Sequence, residues 1–147
     1  MKPITVLIAD ANSVIRIGFK KLLSLELDLE VVGVAKDGRQ AVAGVKKLRP
    51  ALVLMDVSMP LLNGWQASRQ IVKCFPGTRV LMLSHHREDA FVAEAIHCGA
   101  RGYLLKHTAA DHVGIAIREV HKGNTYFSPS ISRPLYPLGR SKAWAER

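Results

Sequence analysis

The chain has 147 residues, 48% of them hydrophobic, and a formal net charge of +9. That length fits one domain with a full hydrophobic core. The apolar runs fall far short of the roughly 20 residues of a membrane span, and the N-terminus lacks a charged, apolar and cleavable secretory pattern, so a soluble cytoplasmic protein is expected.

Ile4 to Ala9 is a short apolar run that closes on Asp10, and it reads as a buried strand. Ile15, Phe19, Leu22 and Leu23 then follow helical spacing, with Ser13 expected to cap that helix. Glu30 to Ala35 is the second strand, and Asp37 is the expected cap of a helix carrying Ala41, Val45 and Leu48 on one face. Leu52 to Met55 is a third strand ending on Asp56, and the chain then breaks into the turn Val57-Ser58-Met59-Pro60-Leu61-Leu62-Asn63-Gly64. A weaker helical stripe covers Gln66 to Phe75, and the strand Arg79 to Leu83 closes on Ser84. Ala90 to Ile96 is another weak helical stripe, and Gly102 to Leu105 is a fifth strand closing on Lys106. Thr108 is the expected cap of a last helix built on Val113, Ala116, Ile117 and Val120. Strands and helices alternate five times, which predicts a parallel sheet covered on both faces.

If the strands are parallel, Asp10, Asp56, Ser84 and Lys106 all reach the rim formed by the strands' C-terminal ends, where open α/β sheets build their ligand crevices. Two carboxylates, a hydroxyl and an ammonium suit an aspartyl-phosphate site better than a hydrolase. One carboxylate is the nucleophile, a second acid helps to hold Mg²⁺, and the cation and hydroxyl receive phosphoryl oxygens.

Five separated blocks carry a resemblance to a known family: Leu7-Ile8-Ala9-Asp10, Asp28 to Gly33, Leu48 to Pro60, Gly99 to Lys106 and Gly123 to Pro129. From Ile4 to about Ser130 the chain resembles the receiver domains of bacterial two-component response regulators, in particular the NarL/FixJ (LuxR-type) transcriptional regulators. The resemblance implies a flavodoxin-like (βα)5 fold, a doubly wound parallel sheet of five strands in a single domain. It makes Asp56 the phosphoacceptor, Lys106 the lysine that pairs with it and then with the phosphoryl group, Ser84 the switch hydroxyl, and Tyr103 the aromatic that turns inward as the hydroxyl moves. Mg²⁺ would be held by Asp10, Asp56 and the backbone carbonyl of Ser58.

The chain departs from the family pattern at Ala11, where the usual second member of the acidic pair is missing, so metal affinity is expected to fall. Asn12-Ser13 stands where the family often has His-Pro. His85 and His86 read as exposed loop histidines, without an acid or cysteine at ligand spacing, and Trp65 reads as packing. Cys74 and Cys98 have no metal-ligand spacing and are expected to be free thiols.

Residues 1–123 are expected to form the receiver domain. Residues 124–147 are read as a linker or short appended helix, interrupted by Pro129, Pro134 and Pro137. In the family this segment leads to a helix-turn-helix DNA-binding domain, which this sequence does not contain, so the chain is read as the receiver part of a longer regulator. Of the net charge, +3 lies in residues 123–147 and +6 in the body, which reads as a spread excess serving solubility rather than a DNA-binding arm.

The expected function is phosphorelay signalling: a sensor histidine kinase phosphorylates Asp56, the face of the fourth helix, fifth strand and fifth helix shifts, and a homodimer forms that acts on transcription. DNA contact would come only through the absent C-terminal domain, no membrane is involved, and the domain is not an enzyme beyond self-catalysed phosphotransfer. The alternative, favoured by Ala11, is a receiver-like interaction module working without phosphorylation. A phosphohydrolase is a weaker third reading, because Val57 and Ser58 supply no second acid for a leaving group.

Overall fold

A computed structural model describes residues 2–131. The elements run β1 (Ile4–Ala9), α1 (Ser13–Ser24), β2 (Leu29–Ala35), α2 (Gly38–Leu48), β3 (Leu52–Asp56), α3 (Gly64–Cys74), β4 (Arg79–Ser84), α4 (Asp89–His97), β5 (Gly102–Leu105), α5 (Ala109–His121) and β6 (Tyr126–Phe127). The strands are ordered β2-β1-β3-β4-β5-β6, and every neighbouring pair is parallel.

The unbroken apolar strands follow from burial on both faces of this sheet. Val6, Ile8, Leu52 and Leu54 point to the side covered by α1 and α5, while Leu7, Ala9, Val53 and Met55 point to the side covered by α2, α3 and α4. With a side-chain period of two, both sets must be apolar. Each fully buried aliphatic residue contributes roughly 1.5 to 3 kcal/mol, so the two layers together fix the register.

The sheet has six strands where five were expected. Tyr126 pairs with Gly102 and Phe127 with Tyr103, the Ser128 hydroxyl accepts the Leu105 N–H at 2.9 Å, and Ile131 is buried in the α2–α3–α4 layer. The chain is therefore anchored to the sheet beyond residue 123. The appended helix considered for the far end, with Pro134 and Pro137, lies outside the described residues.

Caps differ from expectation at two helices. Asn12, not Ser13, caps α1, its side-chain oxygen accepting the Val14 N–H at 2.8 Å. Asp37 caps α2 by accepting the Gln40 N–H at 2.8 Å. Thr108 stands at the cap position of α5 without a side-chain bond to that helix's first turn.

Connections put the switch point of the sheet between β1 and β3, because the chain leaves β2 and passes β1 to form β3. Ligand crevices of such sheets open at this point, beyond the strands' carboxyl ends. Asp10 follows β1 and Asp56 ends β3.

Candidate functional site

Asp10 and Asp56 are both buried, and a single cation lies between them. The Lys106 ammonium is 2.9 Å from Asp10 Oδ2 and 2.9 Å from Asp56 Oδ1. Lys106 arrives there because β5 ends at Leu105 and the Lys106 N–H donates to the Ser84 carbonyl at 2.9 Å, continuing the pairing with β4 for one residue.

The backbone completes the setting of each carboxylate. Asp10 Oδ1 accepts the Asn12 N–H at 2.8 Å, and Arg16 Nη1 donates to the Asp10 carbonyl at 2.6 Å. Asp10 Oδ2 is sealed from solvent and faces the Lys106 ammonium. Asp56 Oδ1 accepts the Ser58 N–H at 3.2 Å as well as facing Lys106. Its Oδ2 carries no hydrogen bond and, unlike Asp10 Oδ2, is not closed off from solvent.

Electrostatics follow from two acids sharing one base. Burial pushes the Asp56 carboxyl above its usual range, the Lys106 hydrogen bond pulls it down, and the neighbouring Asp10 charge pushes it up again, so the shift is upward. Burial also works against the Lys106 charge, but the two carboxylates outweigh it and hold the ammonium above its usual value.

Gly64 sets how closely α3 can approach the acid. A Cβ at this position would lie 2.2 Å from the Asp56 carbonyl oxygen, and the Gly64 N–H donates to the Val57 carbonyl at 2.9 Å. The Gly64→Ala variant is accordingly expected to lose about 2 to 3 kcal/mol, the scale of forced overpacking. Urea unfolding measures it, and an unchanged midpoint would show that the turn relaxes freely.

Ser84 stands at the same rim, one residue beyond Leu83, which pairs with Asp56. Its hydroxyl accepts the His86 N–H at 3.0 Å and makes no hydrogen bond to either carboxylate. Tyr103 is fully buried and donates its hydroxyl to the His86 carbonyl at 2.6 Å. Burial raises its phenol pKa, with the Ser84 hydroxyl acting in the opposite direction, so it serves as a neutral donor. The structure thus brings Asp10, Asp56 and Lys106 into direct contact, and it places Ser84 and Tyr103 in an adjoining network joined through His86.

His86 is exposed, as expected of a loop residue, but its ring stacks on Phe91 of α4 with centroids 4.0 Å apart. Phe91 in turn lies 6.1 Å from Trp65, which packs on the core. Sequence reasoning missed Asn12 as a cap, Arg16 and Phe91. Of these, Asn12 had a legible signal, an Asx residue directly before a helical stripe.

Hard oxygen donors suit Mg²⁺, which is held by one or two carboxylates plus waters and phosphate oxygens. Asp10, whose buried Oδ2 has only the mobile Lys106 ammonium against it, and Asp56 fit that requirement, and the Ser58 carbonyl is a third oxygen at the same turn. Ala11 offers no donor, and among the described residues there is no group of three acidic, histidine or cysteine side chains able to hold a metal.

Comparison with known proteins identifies the family. The family model described as the response regulator receiver domain matches residues 6–118. The transcriptional regulatory protein DegU of Brevibacillus brevis is 37% identical over 90% of this chain and 56% of its own length. The response regulator protein VraR of Staphylococcus aureus is 38% identical over 87% of this chain and 61% of its own. Among solved structures, the signal receiver domain of NarL from Mycobacterium tuberculosis superposes with a TM-score of 0.81 at 33% identity, covering 84% of this chain and all of that one. A structure of two RcsB dimers bound to two parallel DNAs superposes with a TM-score of 0.82 at 25% identity, covering 91% of this chain and 68% of that one.

The chain belongs to the response regulator receiver domain family. It is a receiver domain of the two-component systems, with relatives among the LuxR-type transcriptional regulators. It spans between 56% and 61% of the length of these curated relatives. None of the described helices is long and apolar enough to cross a membrane.

Proposed function

We propose that Asp56 accepts a phosphoryl group from a sensor histidine kinase, and that this event drives dimerisation and transcriptional output. The observation that carries the proposal is the division of labour on one carboxylate: Oδ1 is held by Lys106 and the Ser58 N–H, while Oδ2 is unbonded and open. Oδ2 attacks phosphorus, the bond from phosphorus to the donor atom breaks, and the donor leaves with the electron pair. Positioning and charge stabilisation supply the catalysis, so the chain acts on itself and is not an enzyme with turnover.

Mg²⁺, bound by Asp10, Asp56 and the Ser58 carbonyl, would neutralise charge on the transferring phosphoryl oxygens. Its hold is weakened by Ala11, which leaves two carboxylates to balance it. Lys106, already between the acids, follows the phosphoryl group as a mobile point charge. The Ser84 hydroxyl, which accepts the His86 N–H, donates its own O–H to a phosphoryl oxygen, and Tyr103 reports that movement to the α4–β5–α5 face. This is a population shift of one fold between two arrangements. DNA binding in a longer regulator comes from a helix-turn-helix domain beyond this sequence. The setting is the cytoplasm, with a second copy of the chain as partner.

The test is a titration with beryllofluoride and Mg²⁺, which together mimic the phosphoryl group, followed by tryptophan fluorescence in a Trp144→Phe background and by oligomeric state. Trp65, in contact with Phe91, is the reporter. A saturable change that requires both additives is expected. No change would favour a receiver-like module regulated by partner binding without phosphate, the reading that Ala11 supports.

A further inference from the structure

The positive charge of the body is not spread as its total suggests. Between Asp37 and Glu88 the sole acidic residue is Asp56, while eight arginines and lysines fall in the same stretch. Asp56 is 3% exposed, so the stretch contributes no exposed carboxylate of its own, and the acid that pairs with Arg69, Glu94, comes from α4.

The fold gathers four of these cations at one place. Lys46 and Lys47 are in the last turn of α2, Arg49 is its C-cap, and Lys73 is in the last turn of α3. The Arg49 guanidinium lies 4.8 Å from the centroid of the Phe75 ring, and Phe75 is the C-cap of α3, so the two helix ends stand side by side. All four cations are exposed, and among the described residues none of them has an ion-pair partner. A cation in a last helical turn gains about 0.3 to 1 kcal/mol from the helix dipole. That accounts for one lysine per helix. It does not account for the lack of any acid on either helix.

We propose that the C-terminal ends of α2 and α3 form a contact surface for the phosphate backbone of duplex DNA, additional to any separate DNA-binding domain. Duplex DNA presents a charge every 1.7 Å or so along its axis, and four clustered cations can meet it without matching a sequence. An anionic membrane surface fits less well, since the three most exposed aliphatic residues, Leu27, Leu25 and Val14, lie on α1 and the loop after it, and the patch itself offers only Leu48, 41% exposed. The surface sits at the opposite end of the sheet from Asp56, because α2 and α3 run back against the strands. Bound DNA therefore leaves the acid pocket open.

The experiment measures anisotropy of a labelled duplex of arbitrary sequence against the whole chain at increasing salt. Neutralising about four phosphates gives a slope near −0.9 per phosphate, so affinity is expected to fall about a hundredfold between roughly 50 and 200 mM salt. The Lys46→Glu/Lys47→Glu variant is expected to bind at least tenfold more weakly at low salt, and Lys73→Glu gives the same direction if the double variant folds poorly. Arg140→Glu/Lys142→Glu, in the tail, is the control and should bind within twofold of the parent chain. Binding unaffected by the α2 and α3 reversals, or lost through the tail variant instead, would overturn the proposal. So would tight sedimentation with phosphatidylserine vesicles alongside weak duplex binding. The measurement includes no phosphoryl donor, so its outcome is independent of the phosphorylation reading.

Discussion

Replacing Lys106 by Met is expected to cost about 3 to 5 kcal/mol of folding stability at neutral pH, the cost of stripping the partner from a buried charge. Among the described residues Lys106 is the one cation paired with Asp10 Oδ2 and Asp56 Oδ1, at 2.9 Å from each, and both acids are almost wholly buried. The pH dependence distinguishes this account from lost packing. In the wild type the Lys106 pKa is raised in the folded state, so its contribution is complete below its ordinary value and fades only as alkaline pH passes the raised one. Asp56 is raised too, so its ionised form costs stability that is relieved as pH falls. Without Lys106 that second effect grows, and the variant should recover much of its loss in mild acid, where a carboxylate can take a proton. Denaturant unfolding across pH measures this, and a deficit independent of pH would mean that the ammonium is not what balances the pair.

Restoring an acid at Ala11 is expected to strengthen Mg²⁺ binding about tenfold or more. A unit charge some 4 Å from a cation is worth about 4 kcal/mol per unit of charge at an effective dielectric of 20, and dehydration of both groups offsets most of that. Ala11 is exposed, so Ala11→Asp adds the carboxylate at little cost to packing. Calorimetric titration of both proteins with Mg²⁺, without any phosphoryl donor, gives the ratio directly. Equal affinities would show that Asp10 and Asp56 already saturate the site's demand for charge.

Much of this site was legible in the sequence because the strands announce their own ends. An apolar run that must be buried on both faces can stop only where a polar group reaches the rim, and Asp10, Asp56, Ser84 and Lys106 each mark such a stop. What periodicity could not supply were features made by tertiary contact. Tyr126–Phe127 is too short to show a period, and only its pairing with Gly102 and Tyr103 makes it a strand. Ser13 was the expected cap of α1, yet the turn after β1 presents Asn12, whose own N–H is drawn to Asp10. The bond from Tyr103 to the His86 carbonyl and the stacking of His86 on Phe91 depend on how the loop after β4 folds back, which no residue spacing records. The charge imbalance between Asp37 and Glu88 was present in the sequence, but counting the tail against the whole body concealed it.

The central claim is that Asp56 is a phosphoacceptor served by Asp10 and Lys106. Its most direct test is incubation with acetyl phosphate and Mg²⁺, followed by intact-mass analysis of the wild type, Asp56→Asn and Ala11→Asp. The account predicts one acid-stable, alkali-labile phosphoryl group per chain in the wild type, more rapid incorporation in Ala11→Asp, and none in Asp56→Asn. Incorporation that persists in Asp56→Asn, or that is absent from both the wild type and Ala11→Asp, would contradict it.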